Sequence, residues 1–303
     1  MPLFTIVITC YNQRDFIRDA VESALVQPLC SREIIVVDDG SCDGSSELLN
    51  QYADSIQLIK LSGNEGAIRA RNLGASLATG DYLVFLDGDD VLAPQALSVY
   101  ERVIRERNPV VICGNLLYFS GEVPRSNCAV APSIIEYIDY PSFPNKDRPC
   151  ALSASSFVVS TRAFKEVGGW THGVFHLDLV DLATKLAYSG HLLMIFSPVT
   201  TFYRLHSANS IRTVLPFLQM ARRIMDKERS GEYPGGREHR FDRYAWLGGV
   251  LFFWAKRGIR AGLYKHTCGM VISGWPMILS AVIRRSFAWI KGRRPMEFLA
   301  YEP

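Results

Sequence analysis

The residues of this chain best suited to chemistry sit where an apolar run stops. Tyr82 to Leu86 is continuously apolar, and it breaks into Asp87-Gly88-Asp89-Asp90. A buried strand that feeds straight into closely spaced acids is hard to explain by packing. In an α/β sheet, the carboxyl ends of the strands are where ligands sit. Hard oxygen ligands spaced as Asp-x-Asp suit Mg²⁺ or Mn²⁺, ions that share their shell with substrate phosphates. The plainer reading is a solvated acidic turn, with Asp90 capping a helix that starts near Pro94.

The elements that must position these acids follow from the pattern around them. Leu3 to Thr9 is a β-branched apolar run, as expected of a strand buried on both faces. A helix with Phe16, Ala20, Val21, Ala24 and Leu25 on one face follows. Ile34 to Val37 reads as a second strand, and it too ends in acids, Asp38-Asp39-Gly40-Ser41. A helix over about Ser45 to Tyr52, a strand over Ile56 to Leu61, a helix over Ala67 to Ala78 and the strand at Tyr82 complete the series. This alternation predicts βαβ units and a doubly wound, mainly parallel α/β sheet flanked by helices. There is no G-x-G-x-x-G after the first strand and no Walker A string. A bound nucleotide would therefore be held by acids, a metal and isolated basic groups.

Composition sets the wider bounds. The 303 residues are 48% hydrophobic and 21% charged, as in a globular protein. No secretory leader is visible, and the seven cysteines show no C-x-x-C spacing, which argues against zinc or a disulfide framework and fits a reduced cytoplasm. The net charge of +3 hides an asymmetry: from Arg243 to Met296 there are ten Lys/Arg and no Asp/Glu, against 23 basic and 28 acidic residues before it. Three segments are expected: a catalytic domain over 1–228, a Gly- and Pro-bearing polar linker over 229–241, and a basic, aromatic-rich helical extension over 242–303.

Four ordered signatures carry a resemblance. Thr9-x-Tyr11-Asn12, Val37-Asp38-Asp39-Gly40-Ser41, Asn64-x-Gly66-x-x-x-Ala70-Arg71-Asn72-x-Gly74 and Phe85-Leu86-Asp87-Gly88-Asp89-Asp90 resemble the family-2 glycosyltransferases of the GT-A fold. Weaker likeness continues through Phe164 to Trp170 and Tyr203-Arg204-x-His206-x-x-Asn209-Ser210. The resemblance implies an inverting, metal-dependent transfer from a nucleoside-diphosphate sugar, UDP-linked, to a glycan or lipid-linked acceptor in surface polysaccharide synthesis. It implies that Asp39, with Asp38, Thr9 and Tyr11, lines the nucleobase pocket, and that Arg71 contacts base or diphosphate. Asp87 and Gly88 would meet the ribose or a metal-bound water. Asp89 would bind Mn²⁺ or Mg²⁺ directly, with His206 beside the metal or diphosphate. Arg69 and Arg71 lie about 200° apart on a helix, so only one of them faces the site. Ser155 and Ser156, in a small-residue run, suit close approach of a donor sugar or a tight strand entry.

The base is where the pattern departs. Inverting transfer to a hydroxyl needs a carboxylate to accept the acceptor proton. The family supplies Glu-Asp shortly before a helix that opens on Asp-Leu. Aligned on Asp181-Leu182, the Glu position holds Asp178 and the usual base position holds Leu179. Four readings stand: Asp178 as base, Asp181 as base, a phosphate acceptor that needs none (a polyprenyl phosphate), or an inactive nucleotide-sugar-binding scaffold.

In the extension, a break is expected near Gly274-Trp275-Pro276, which leaves apolar stretches shorter than the ~20 residues of a spanning helix. Trp246, Phe252, Phe253, Trp254, Trp275, Phe287 and Trp289 beside Lys/Arg clusters suggest helices at an anionic membrane surface, the alternative being a helical subdomain packed on the core. No nucleic-acid partner is expected. The protein is placed in the cytoplasm, peripheral on the inner face of the cell membrane.

Overall fold

A computed structural model describes residues 4–28, 31–124, 134–140, 153–207, 209 and 213–290, with side chains to residue 287. Expectations on residues 125–133, 141–152, 210–212 and beyond 290, and on the Trp289 side chain, lie outside the described residues. The chain divides into two compact units. The first comprises 1–141, 152–170 and 189–207, and the second comprises 142–151, 171–188 and 208–303.

The first unit is built on a nine-stranded sheet in the order β3-β2-β1-β4-β8-β6-β9-β5, with β7 also on β9. β1 (Phe4–Cys10) is buried along its whole length, as expected of a run made of apolar residues and the β-branched Thr5 and Thr9. β2 (Arg32–Asp38) and β4 (Tyr82–Asp87) pair with it in parallel, and β3 (Gln57–Lys60) pairs with β2. α1 (Ile17–Leu25), α2 (Ser45–Leu49) and α3 (Ala67–Leu77) make the crossovers. α1 buries Ile17, Ala20, Val21 and Ala24 against β1 and α4 (Ala96–Arg107).

Beyond β4 the sheet is mixed. β8 (Phe157–Ser160) lies antiparallel between β4 and β6 (Val111–Phe119), and β6 is parallel to β9 (Leu192–Arg204). The short β5 (Val91–Leu92) and β7 (Glu136–Tyr140) run antiparallel to β9. α5 (Thr161–Glu166) follows β8 directly.

The second unit is helical: α6 (Asp178–Leu186), α7 (Leu215–Ser230), α8 (Arg240–Arg260) and α9 (Tyr264–Ile290). α7 packs with α8 and α9 around Phe217, Leu218, Met225, Leu251, Trp254, Met270 and Met277. The polar segment expected as a linker is thus a turn between two packed helices. The expected break at Pro276 is absent, since α9 runs through it for 27 residues. Tyr264–Phe287 is therefore long and apolar enough to cross a membrane, which corrects the shorter stretches expected.

Two glycines test this packing. A Cβ on Gly248 of α8 would lie 1.9 Å from the Met277 carbonyl oxygen of α9, whereas one on Gly269 would meet nothing within 4 Å. Gly248→Ala should destabilise the protein by about 2 kcal/mol, because backbone cannot yield as a side-chain tip can. Gly269→Ala should stabilise it by ~0.5–1 kcal/mol through helix propensity. Urea denaturation followed by circular dichroism reads both, and equal effects of the same sign would contradict the α8–α9 contact.

Candidate active site

The strand order reverses direction at β1, which makes its carboxyl end a topological switch point. Register places Asp38 beside Cys10 on one flank and Asp87 beside Thr9 on the other. The two acidic strand ends found in the sequence therefore lie on either side of the carboxyl end of β1.

On the β2 side, Gly40 adopts φ +75°, and a Cβ there would lie 2.5 Å from the Gly63 carbonyl carbon. Only glycine allows the two loops to meet this closely. Asp39 accepts from the Glu65 amide at 2.7 Å and the Gly66 amide at 2.8 Å. Burial pushes its carboxyl above the ordinary range against the Gly66 hydrogen bond, and the Asp38 charge adds to the rise. Asp39 does not cap α2, where Asp43 accepts from the Ser45 amide and hydroxyl instead. Asp38 is buried and accepts from the Ser41 amide at 3.0 Å. The loop after β1 is laced to this turn: the Asn12 amide donates to Ser41 Oγ, the Cys42 amide to Asn12 Oδ1, and the Gln13 amide to Ser45 Oγ. Tyr11 projects from it, 44% exposed.

On the β4 side, Arg71 of α3 pairs with Asp87 at 2.7 Å, and its guanidinium lies 5.2 Å from the Trp170 ring centre. Arg71 is the buried member of its pair, while Arg69 is exposed and pairs with Glu65. Asn72 holds Trp170 by both backbone groups, accepting from its amide at 3.0 Å and donating to its carbonyl at 2.8 Å. Gly169, at φ +64°, makes room, since a Cβ would lie 2.7 Å from Asn72 Oδ1. Phe85 and Phe164 pack on the indole.

Asp89 Oδ2 lies 2.8 Å from His206 Nε2, and the His206 ring stacks on Phe16 at 4.8 Å. Asp90 is buried and does not cap α4. It accepts from Ser155 Oγ at 2.5 Å and from the Arg204 amide at 2.9 Å. Its carboxyl is raised well above the usual range by burial, and then by the charges of Asp89 and Asp87. Ser155 Oγ also accepts from the Asp87 amide at 3.1 Å, so this serine organises the acidic turn. The Arg204 guanidinium donates to the carbonyls of Asp89 and Gly121 and to Asp19 of α1, between the rings of Phe16 and Phe119.

Asp87, Asp89 and Asp90 each bring a carboxylate oxygen within 4.8 Å of the others. This all-oxygen set fits a hard divalent cation, Mg²⁺ or Mn²⁺, rather than a thiophilic one. Thr9 Oγ1 lies 3.5 Å from Asp87 Oδ1. Gly88 must be glycine, because a Cβ would come within 2.9 Å of the Thr9 carbonyl.

Asp178 and Asp181 belong to the second unit. Asp178 is the first residue of α6 and half-buried. Asp181 is fully buried and accepts from Thr171 Oγ1 at 2.5 Å, Lys227 Nζ at 2.5 Å and Tyr233 OH at 2.7 Å. Such a carboxylate is engaged in holding α6 to α7. Leu179 is buried.

Sequence reasoning missed Asn72 as a clamp, Phe16 as a ring under His206, and Arg204 as the anchor of the acidic turn. The signals were the Arg71-Asn72 and Gly168-Gly169-Trp170 pieces of two motifs, and the Tyr203-Arg204-x-His206 string.

The two acidic strand ends, with Arg71 paired to Asp87 and His206 to Asp89, thus meet at one switch point of a mixed α/β sheet. The sequence model described as glycosyl transferase family 2 matches residues 5–157, half of the chain, and the chain belongs to that family. TuaG of Bacillus subtilis, assigned to teichuronic acid biosynthesis as a glycosyltransferase, is 34% identical over 142 residues, 46% of this chain and 56% of that one. WfaP of Escherichia coli, a UDP-Glc:alpha-D-GlcNAc-diphosphoundecaprenol beta-1,3-glucosyltransferase, is 44% identical over 91 residues, 30% and 36% of the two chains. The chain thus spans about half or less of the length of these curated relatives. The crystal structure of S. aureus TarS 1-349 in complex with UDP-GlcNAc has the same fold at 17% identity, with a TM-score of 0.63 over 82% of this chain and 71% of that one.

Asn72→Ala should cost about 2 kcal/mol, because two backbone groups of buried Trp170 lose their partner. Asn72→Asp keeps the acceptor but sets a carboxylate oxygen against the Trp170 carbonyl, and should cost more. Thermal unfolding monitored by tryptophan fluorescence ranks them, and an order reversed from this would refute the clamp.

Proposed function

We propose that the chain transfers a sugar from a nucleoside-diphosphate donor, UDP-linked, to a lipid-linked glycan, with inversion. The observation that carries the reading is the pair of acidic strand ends, Asp38-Asp39 and Asp87 to Asp90, bordering one switch point in a chain of this family. Asp39 keeps acceptor capacity beyond its two backbone partners and suits a uracil N–H, with Tyr11 stacking on the base and Thr9 and Asp38 shaping the pocket. Arg71 suits the diphosphate, a bidentate partner for which guanidinium geometry is adapted. Asp87 and Gly88 lie where the ribose would pass.

Asp89, with His206 orienting it, and Asp87 would hold a divalent ion, which when bound supplies positive charge to the leaving diphosphate. Asp178 takes the base role, because Asp181 is already committed to Lys227, Thr171 and Tyr233 and Leu179 cannot titrate. The acceptor oxygen forms the new bond to the anomeric carbon as its proton passes to the Asp178 carboxylate. The anomeric C–O bond breaks, and its electron pair leaves with the nucleoside diphosphate. The lipid-linked acceptor is suggested by WfaP, and a surface polysaccharide product by TuaG. We place the reaction in the cytoplasm, with the basic C-terminal helices at an anionic membrane surface.

A panel of nucleotide sugars, with and without Mn²⁺, tests this by binding and turnover. Asp178→Asn should bind donor normally and lose turnover by about 10²–10⁴-fold, the usual worth of a general base. Asp89→Asn should lose the Mn²⁺ dependence of binding. Turnover that survives in Asp178→Asn would shift the acceptor to a phosphate, and binding of no nucleotide sugar would refute the whole reading. Donor affinity should also fall with pH below neutrality, starting above the ordinary aspartate range, because Asp39 is protonated at higher pH than usual. Asp39→Asn should flatten that profile, as read by isothermal titration calorimetry.

A further inference from the structure

α9 carries two apolar faces, and the described residues of the protein cover one of them. Met270, Gly274, Met277 and Ala281 are buried on the side toward α7 and α8. On the opposite side Ile272, Trp275, Leu279, Val282, Ile283 and Phe287 are exposed, with Ile272 at 72%, Trp275 at 60% and Phe287 at 61%. Their spacing repeats the helical turn, so they form one stripe about 22 Å long at 1.5 Å per residue. A continuous apolar stripe of this kind is not the scattered exposure that any surface shows.

Basic groups frame the stripe. Lys256 and Arg260 of α8 and Lys265 of α9 are exposed at one end of the helix pair. Toward the other end, Arg285 lies 5.7 Å from the centre of the exposed Phe252 ring, while Arg284 beside it is ion-paired with Asp242. No acid occurs from Arg243 to Met296. A second copy of this chain would bring like charge against like charge on this face, whereas anionic headgroups complement it.

We infer that the outward face of α9 lies in the plane of an anionic lipid bilayer and buries its stripe at the headgroup–acyl boundary. The inference deepens the proposed membrane-surface role of these helices and rests on that reading. A transmembrane arrangement fits the packing poorly, although α9 is long enough for one. The Gly248–Met277 contact ties α9 to α8 backbone to backbone. The charge-free part of α8, Tyr244 to Ala255, covers about 18 Å at 1.5 Å per residue, short of a ~30 Å hydrocarbon core. Crossing together would draw Lys256 and Arg257 into lipid, along with the buried Arg243–Glu228 pair that joins α8 to α7. Half-depth insertion of one face leaves all these contacts intact.

Flotation of the full chain with phosphatidylcholine vesicles, with and without phosphatidylglycerol, tests the inference. Binding should need phosphatidylglycerol and weaken tenfold or more at high salt. Trp275→Asn/Phe287→Asn should lose binding tenfold or more with helicity unchanged, and Lys256→Glu/Arg260→Glu should lose the lipid-charge dependence. Lipids brominated near the headgroup should quench tryptophan fluorescence more than lipids brominated near the bilayer centre. Equal binding to neutral vesicles, deeper quenching at the bilayer centre, or no vesicle binding with lipid-free dimers that Trp275→Asn abolishes would each overturn it. Vesicle binding by a protein that turns over no nucleotide sugar upholds this inference and refutes only the enzymatic one.

Discussion

Asp87, Asp89 and Asp90 crowd three carboxylates within 4.8 Å at the end of one strand. At an effective dielectric near 20, two such charges repel by roughly 3–4 kcal/mol. Much of the first unit can be understood as the set of donors that makes this tolerable. Arg71 comes from α3 to Asp87, His206 from beyond β9 to Asp89, and Ser155 with the Arg204 amide to Asp90. Each donor belongs to a different element. The acids therefore adopt this arrangement only when helix, sheet and the β9 end have assembled. The burial that raises the Asp90 carboxyl leaves Asp87 and Asp89 as the more accessible pair for a ligand.

The first four strands and their crossovers were legible because each is a local pattern. β1 is buried on both faces and its residues are apolar apart from the β-branched Thr5 and Thr9, and α1 shows its buried face at helical spacing. Boundaries moved by one or two residues, with β2 beginning at Arg32 and β4 continuing to Asp87. Past β4 the signal failed. β8 is only four residues long, and its antiparallel place between β4 and β6 is set by partners over 40 residues away in sequence. No periodicity within Phe157–Ser160 encodes that. The Pro276 expectation failed for a different reason. A proline costs a helix one hydrogen bond and some strain, but the buried faces on either side, Gly274 and Met277, fix both halves of α9 on α8.

The site was legible where a residue type is itself unusual. Acids after buried strands, and an arginine on the inner face of α3, stand out from any packing expectation. Asn72, Ser155 and Arg204 do not, because each works through backbone groups that the sequence does not display. Asn72 grips the main chain of Trp170, Ser155 receives the Asp87 amide, and Arg204 grips the carbonyls of Asp89 and Gly121. Ser155, read from the sequence as suiting either a donor sugar or a tight strand entry, is completely buried beneath the acidic turn.

In the second unit, the two carboxylates of the motif stand in different surroundings. Asp181 and Asp178 lie three residues apart on α6, on neighbouring parts of one face. Three residues decide between them. Lys227, Thr171 and Tyr233 converge on Asp181, and removing that carboxylate would leave Lys227 largely buried without its counter-charge, which typically costs several kcal/mol. The cluster also explains the depressed Lys185 ammonium, which is buried first of all, is favoured by Asp181 and is opposed by Lys227. A carboxylate that holds so many partners has little capacity left to accept a proton from a substrate. Asp178 sits half-buried at the first turn of the same helix, one turn before that cluster. The base role proposed for Asp178 does not draw on that cluster, and Leu179 beside it is a buried apolar side chain.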